Sequence, residues 1–265
     1  MRKIVIANQK GGVGKSTTTI NLGAGLAKKG KKVLIIDADA QGHSTIGLGI
    51  STKKTPTIAE LLTEEDVTTS DVIEHTYIKG LDIIPSDLTL AVAVMKLSGL
   101  GAKEFILRSK VKDIKGYDFI LIDAPPTFET MTQNAFASAS EIILPVVLDY
   151  FCLEGVSSFL DTINFVNKNI TSHLSHKIAI SGVLINRYDL RSKHSREVLT
   201  SFKEIFGNCL FESTIPTNIK LTEAHAVGKS VYDYAPDCKG SQAYLRLTQE
   251  VIKRGKNKTT GVRKK

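Results

Sequence analysis

Residues 3–17 read KIVIANQKGGVGKST and pass from an apolar run into a glycine-rich run. The apolar run is rich in β-branched residues, which is typical of a buried strand. Three glycines follow, and hydroxyl residues then open a segment of helical period. Glycine lets backbone N–H groups converge on one point, and a helix N-terminus adds positive potential. A strand, a glycine loop and a helix in this order therefore predict a site for phosphate groups.

Apolar segments of strand length alternate with helical segments along the rest of the chain. The strand-like segments span 31–37, 81–86, 117–123, 141–148 and 177–186, and helical period is found near 87–97, 102–115, 153–168 and 195–206. Continuous apolar strands separated by helices indicate a parallel sheet covered on both faces. We therefore predict one doubly wound α/β domain over residues 1–252, with a mostly parallel sheet of the P-loop type.

The composition excludes several classes of protein. Hydrophobic residues make up 42% and charged residues 23% of the 265, which excludes a disordered or fibrous chain. No apolar run of about 18 residues is present, so no transmembrane helix is expected. The three cysteines, Cys152, Cys209 and Cys238, lie far apart, which disfavours a disulfide framework or a zinc site and favours a reducing cytosol.

Positive charge is concentrated at the C-terminus. Residues 253–265 hold seven Lys and Arg and no acid, whereas residues 1–252 hold 28 basic and 27 acidic residues. We predict a flexible basic tail over 253–265. Such a tail can contact nucleic acid or an anionic membrane surface, or it can serve solubility alone, and the charge pattern leaves these alternatives open.

The glycine loop has an unusual set of lysines. Backbone groups over the loop are expected to hold phosphate oxygens, with Lys15 reaching the β- and γ-phosphates and the Ser16 hydroxyl suited to Mg²⁺. The pattern GxxxxGK[ST] is not met, because Gln9 stands at its first glycine and a second lysine, Lys10, opens the loop. The predicted nucleotide-contacting residues of the loop are Gly11, Gly12, Val13, Gly14, Lys15, Ser16 and Thr17.

Carboxylates follow two of the predicted strands. Asp37 and Asp39 lie in the segment 37–42, DADAQG, and Asp123 ends the apolar run 119–122. Phosphoryl transfer needs carboxylates that support a metal ion and a group that orients the attacking water. A buried strand that delivers one carboxylate to a metal site fits Asp123. The alternative for the first two acids is that they only cap the helix that follows.

The loop over residues 10–16, KGGVGKS, resembles the deviant Walker A motif of the ParA/MinD family of ATPases. The resemblance extends over nearly the whole chain and is strongest to the ParA (Soj-like) ATPases of chromosome and plasmid partition. It implies ATP and Mg²⁺ as cofactors and hydrolysis of ATP to ADP and phosphate. It also implies that Lys10 reaches the nucleotide of a partner subunit in an ATP-bound homodimer, that Asp39 positions the water, and that Ser16, Asp37 and Asp123 serve the metal.

The chain departs from the family pattern at four places. Ala40 and His43 replace the usual proline and asparagine after Asp39, which leaves the flexibility of this switch segment open. Residues 127–130 do not follow the common partition pattern after Asp123, which puts partner contacts there in doubt. Thr217 stands where partition proteins often place arginine, which weakens one expected phosphate or nucleotide contact.

The resemblance also implies a base pocket and a DNA surface. Asn186 matches the residue that reads adenine, Pro216 lies in a loop near the base, and Arg187 either stacks on the base or forms a surface ion pair. Sequence-independent DNA binding needs only dispersed cations that neutralise phosphates. The predicted DNA-binding residues are Arg191, Lys193, Arg196, Lys220, Lys229, Lys239, Arg246 and Arg254. A ParB-like DNA-binding partner and a cytoplasmic, nucleoid-associated protein follow from the same resemblance.

Other members of the family are alternatives. A MinD-like protein needs an apolar face on a C-terminal helix, and beyond Ile252 the chain offers only Val262, so no stable membrane association is expected. A relative of the nitrogenase iron protein needs cluster-bridging cysteines, which do not match the three present. A positioning ATPase for a non-chromosomal cargo shares every motif above, and the sequence does not separate it from a partition protein.

Overall fold

A seven-stranded sheet is the centre of the structure, a computed structural model that describes residues 1–53, 55–174, 177–188 and 193–256. The strands lie in the order β3-β4-β2-β5-β1-β6-β7, and neighbours are parallel except β3 and β4. The predicted doubly wound, mostly parallel sheet is confirmed, and the short antiparallel β3 is an addition to it. The strands are β1 (Arg2–Ile6), β2 (Val33–Asp37), β3 (Glu74–His75), β4 (Leu81–Ile84), β5 (Phe119–Asp123), β6 (Glu141–Val147) and β7 (Ala179–Asn186).

Helices connect the strands and cover both faces of the sheet. In the described residues the α-helices are α1 (Lys15–Lys28), α2 (His43–Gly47), α3 (Ile58–Thr63), α4 (Thr69–Val72), α5 (Thr89–Leu97), α6 (Ile106–Val111), α7 (Thr130–Ser138), α8 (Cys152–Asn169), α9 (Lys193–Phe206), α10 (Ile219–Ala226), α11 (Val231–Tyr234) and α12 (Lys239–Lys256). Single 3₁₀ turns occupy Lys103–Phe105, Thr171–His173 and Gly207–Cys209.

The core has two layers because side chains of a strand alternate between the faces of the sheet. On β1, Ile4 and Ile6 pack with apolar residues of α1 and α12, whereas Val5 packs with those of α7 and α8. Both sets are fully buried, which explains why the central strands are apolar at successive positions.

The strand order brings the chemistry-bearing segments together. β5 lies between β2 and β1, and the register pairs Asp37 with Asp123 across β2 and β5. Parallel strands end at one side of the sheet, which we call the carboxyl edge. The glycine loop, both aspartates and Asn186 all lie at this edge because each follows or ends a parallel strand.

The C-terminal segment differs in part from a flexible tail. Helix α12 continues to Lys256, so the first four residues of the predicted tail are helical. The predicted tail beyond them, 257–265, lies outside the described residues. Among the helices of the described residues, none is long and apolar enough to cross a membrane.

Candidate functional site

The glycine loop forms an open cradle at the carboxyl edge. Gly12 and Gly14 have φ of 72° and 88°, in the left-handed region that favours glycine. A Cβ on Gly14 would lie 2.7 Å from Nδ2 of Asn186, so a side chain there would strike the neighbouring strand end. Helix α1 begins at Lys15 with no side-chain cap, which leaves the N–H groups of its first turn facing the loop. The loop therefore suits an anionic ligand.

The two lysines of the loop take opposite directions. Lys15 is only 8% exposed, and its Nζ lies 3.4 Å from the carbonyl oxygen of Lys10. Burial lowers the pKa of Lys15, although the charges of Asp123 and Asp39 act against this shift. The side chain of Lys10 is half exposed and forms an ion pair with Asp149, which follows β6. Lys15 thus belongs to the interior of the site and Lys10 to its rim.

Two carboxylates are buried side by side behind the loop. Asp37 and Asp123 are both 0% exposed. Oδ2 of Asp37 accepts hydrogen bonds from the N–H and the hydroxyl of Thr45, at 2.9 and 2.8 Å. Oδ2 of Asp123 accepts one from the Ser44 hydroxyl at 2.7 Å. Burial, and then the charge of Asp123, raises the pKa of Asp37 to about 8, and burial also raises the pKa of Asp123.

This acidic pair fits a hard divalent cation. Two carboxylates in a water-excluded place are costly when charged, and a bound cation offsets that cost. Within the described residues no three His, Cys, Asp or Glu side chains form a metal-binding group. Mg²⁺ usually takes one or two carboxylates and completes its shell with water and phosphate oxygens, so the donor set here suits it.

Asp39 does not cap the helix that follows it, because the N-cap of α2 is Gly42 and no side chain caps that position. Its Oδ1 accepts a hydrogen bond from the N–H of Gln41 at 3.0 Å, which is an Asx-turn contact in the segment before α2. The side chain is nevertheless partly exposed, and it lines a cavity of about 440 Å³ between the segments that follow β2 and β5. This turn contact uses Oδ1 and leaves Oδ2 available to a ligand at the carboxyl edge.

Of the residues predicted for the base, Asn186 contacts the glycine loop, and Arg187 and Pro216 lie on two segments that pair just after it. Asn186 is 3% exposed, and its Nδ2 donates to the carbonyl of Val13 at 2.8 Å. Its Oδ1 is buried and has no partner among the described residues. Arg187 is exposed, with φ of 54°, and Pro216 pairs with Tyr188 in an isolated bridge. The hydroxyl of Thr217 donates to the carbonyl of Arg187 at 3.3 Å, so the two segments are joined.

The predicted DNA-binding residues fall into different environments. Lys220 pairs with Glu223 at 2.7 Å, and Arg191 lies outside the described residues. Lys193 begins α9, and its side chain is outside the description. Lys220 is exposed despite this ion pair, and the other exposed members are Arg196, Lys229, Lys239 and Arg246.

Arg254 is held within the fold. Its guanidinium donates to the carbonyls of Ser181, Cys209 and Leu210 at 3.1, 3.3 and 2.6 Å and to Glu250 at 2.8 Å. It also lies 4.1 Å from the ring centroid of Phe211. These contacts make Arg254 less available to DNA than the sequence indicates, and its role there stays a prediction.

Sequence reasoning missed three residues of the site. Ser44 and Thr45 hold the buried carboxylates, and Asp149 holds Lys10. Their signals in the sequence are weak, because a hydroxyl pair at a helix start and an acid after a strand are common. Only the fold brings residue 149 to the loop at residue 10.

A phosphate loop that opens with Lys10, together with strand-end carboxylates on a parallel sheet, defines a P-loop nucleotide-binding protein. A family model described as "AAA domain" matches residues 1–176. The sporulation initiation inhibitor protein Soj of Bacillus subtilis is 38% identical over 95% of this chain and 98% of its own length. The chromosome partitioning protein ParA of Caulobacter vibrioides is 37% identical over 97% of this chain and 96% of its own length. The chain belongs to the ParA/MinD family of P-loop ATPases.

A solved structure supports the same fold. It is described as cobyrinic acid a,c-diamide synthase from Mycobacterium smegmatis, with a bound ATP analog and magnesium. It superposes with a TM-score of 0.82 at 28% identity and covers 100% of both chains. The resemblance that the sequence indicated is therefore confirmed at the level of family and fold.

Proposed function

We propose that this protein is a ParA-like partition ATPase that hydrolyses ATP to ADP and phosphate with Mg²⁺. The observation that carries the proposal is the position of Lys15 near Asp123, which is buried beside Asp37 behind the glycine loop. Identity of 37–38% to Soj and ParA over nearly the full length supports it, as does the ATP analog with magnesium in the related structure.

Each residue of the site has a defined task in this proposal. Loop N–H groups and Lys15 bind the phosphates and offset the charge that develops on them. The Ser16 hydroxyl, Asp37 and Asp123 would hold Mg²⁺, which supplies Lewis-acid stabilisation of the phosphate oxygens. Asp39 orients the attacking water through its exposed oxygen. Asn186, Arg187 and Pro216 line the pocket for the base. Oδ1 of Asn186, which has no hydrogen-bond partner among the described residues, supplies an acceptor for the adenine amino group.

The proposal extends to the partners of the ATP-bound form. Lys10 lies at the rim, where a second subunit can bring its nucleotide, so ATP joins two subunits into a dimer. That dimer binds DNA without sequence preference through exposed basic residues, chiefly Arg196, Lys229, Lys239 and Arg246. A ParB-like protein stimulates hydrolysis, the dimer separates and DNA is released. The protein then acts in the cytoplasm on the nucleoid.

Binding of Asp39→Ala to random-sequence duplex DNA tests the proposal. With ATP, the variant is expected to accumulate as a dimer and to bind DNA in a salt-sensitive manner, whereas ADP supports no binding. Asp66→Ala, an exposed carboxylate distant in sequence from every motif, is the matched control and keeps wild-type turnover. Normal turnover of Asp39→Ala would refute its role. If the wild-type protein shows no ATP-dependent DNA binding, it would be an ATPase that acts on a membrane or on another protein.

A further inference from the structure

Lysines crowd the side of the sheet opposite the nucleotide site, which we call the amino edge because the parallel strands begin there. Residues 28–32 read KKGKK and connect the end of α1 to the start of β2. Lys79 lies in the turn that leads into β4. The N–H of Val33 donates to the carbonyl of Gly80 at 2.9 Å, which holds the two turns side by side.

These turns enclose a surface cavity of about 500 Å³. Lys28, Lys31, Lys32 and Lys79 line it, and we call these four residues the amino-edge lysines. Apolar atoms of Ala24, Ala27, Ile78 and Tyr232 form its floor, and Nζ of Lys28 lies 5.8 Å from the ring centroid of Tyr232.

The positive charge of the cavity is not neutralised locally. Among the described residues none of the amino-edge lysines forms an ion pair. The lining includes one carboxylate, Asp233, which accepts hydrogen bonds from the hydroxyls of Tyr77 and Ser230 at 3.2 and 2.6 Å. Asp118 accepts from the backbone N–H of Lys32 rather than from its side chain. Three of the four lysines are exposed and Lys31 is half-buried.

We propose that the amino-edge lysines bind the phosphate backbone of DNA. The inference rests on the DNA binding put forward above and adds a surface to it. Neutralisation of phosphates needs exposed cations and no base reading, and the four ammonium groups meet that need. By contrast, Lys220 and Arg254 among the C-terminal candidates are engaged by acceptors of the protein. Lys229 directly precedes Ser230 of the lining, which makes this surface continuous with an exposed C-terminal candidate.

The geometry favours an extended polyanion over a small anion or a membrane. The lysines come from two separate turns and are largely exposed, so they do not enclose one phosphate group as the glycine loop does. Membrane attachment needs apolar side chains that insert between lipids, and Tyr77, an exposed residue beside the cavity, is held by hydrogen bonds with Ser230 and Asp233. DNA at the amino edge leaves the carboxyl edge open for nucleotide and for a second subunit.

A charge-matched pair of variants tests the inference in the full chain. One variant carries Lys28→Gln, Lys31→Gln, Lys32→Gln and Lys79→Gln. The control carries the same change at four other exposed lysines, Lys53, Lys96, Lys168 and Lys177. Binding to random-sequence duplex DNA is measured with a slowly hydrolysed ATP analog over a salt series, and basal ATPase is measured in parallel.

The amino-edge variant is expected to lose at least roughly 10-fold in DNA affinity. The slope of log K against log salt should fall by about two or more, because each lost phosphate contact removes about 0.9. Basal ATPase stays at the wild-type level. Affinity and slope equal to those of the control overturn the inference while the proposed function stands. Failure of the wild-type protein to bind DNA overturns both. Vesicles of phosphatidylglycerol and phosphatidylcholine give a third outcome. If only the amino-edge variant loses binding to them while its DNA binding is unchanged, the amino-edge lysines bind a lipid surface and not DNA.

Discussion

The two edges of the sheet hold charge in opposite ways. At the carboxyl edge, Asp37, Asp123 and Lys15 are buried, and hydroxyl or backbone groups fix the carboxylates. At the amino edge, the four lysines are mostly exposed and make no ion pair within the described residues. Buried charges need a specific ligand and a fixed geometry, whereas exposed charges contribute to binding according to their number. A single substitution should therefore have a large effect on ligand binding at the carboxyl edge, whereas at the amino edge the effect should grow with the number of lysines replaced.

Lys15→Ala is expected to have the largest effect. The ammonium group lies inside the loop, so its loss should weaken ATP binding by at least roughly 100-fold, about 2.7 kcal/mol. Titration of a fluorescent ATP analog measures this. Lys10→Ala is the matched control within the same loop, because its side chain lies at the rim with Asp149. We expect Lys10→Ala to keep monomer affinity for ATP and to lose the dimer; equal affinity for wild type and Lys15→Ala would refute the loop assignment.

Arg254→Gln tests whether Arg254 stabilises the fold rather than contacting DNA. Its guanidinium satisfies three carbonyls and Glu250, so replacement should cost about 2 kcal/mol and lower Tm by roughly 4–8 °C. Arg246→Gln, on the exposed face of the same helix, is the control. It should leave Tm within about 1 °C and reduce the salt slope of DNA binding by about one. A large loss of DNA affinity without loss of Tm in Arg254→Gln would restore the role that the sequence indicates.

The sequence predicted the features that depend on local pattern. The parallel strands are apolar at successive positions because both faces of the sheet are covered, and this pattern is visible without the fold. The glycine loop and the strand-end acids Asp37 and Asp123 are likewise local, since each directly follows or ends an apolar run. Their convergence follows from the rule that parallel strands end at one edge.

Features that depend on distant neighbours were not predictable. Asp149 meets Lys10 only because β6 lies beside β1, and the strand order is not written in either segment. Arg254 looks like one more residue of a basic tail, and its burial follows from the docking of α12 against the start of β7. The lysines of 28–32 and Lys79 are separated by about 50 residues, so their shared cavity is a product of strand pairing.

The Asp37 carboxyl predicts a pH dependence of stability in the metal-free protein. Its folded pKa, about 8, lies above the ordinary value of 3.8, so the native state binds a proton that the unfolded state releases. This contribution to stability is present below about pH 4 and is lost as pH rises toward 8. One pKa unit corresponds to about 1.4 kcal/mol, so the loss should be at least of that size.

Urea unfolding in EDTA at pH 5 and pH 8 measures this loss. Asp37→Asn should reduce the difference between the two pH values, because an amide at this position accepts the Thr45 hydrogen bonds without a charge. The exposed Asp66→Asn serves as the control and should keep the wild-type difference. An undiminished difference in Asp37→Asn would mean that other groups set the pH dependence.

Asp149→Asn should give the smallest effect. It tests the rim of the carboxyl edge, where the charged side chains of Lys10 and Asp149 are half exposed and so resemble the exposed lysines of the amino edge. In the proposed dimer the ion pair must break before Lys10 can reach a partner's nucleotide, and exposed pairs are worth about 0.2–1 kcal/mol. Removal of the charge should therefore lower the protein concentration needed for the ATP dimer by up to roughly 5-fold, with monomer affinity for ATP unchanged. Light scattering with a slowly hydrolysed ATP analog measures the midpoint, and Glu154→Gln in the first turn of α8 is the control. Because salt screens exposed pairs, the difference should shrink at high ionic strength. A weaker dimer in Asp149→Asn would show instead that the carboxylate contacts the second subunit, and the rim would then resemble the buried site more than the open lysine surface.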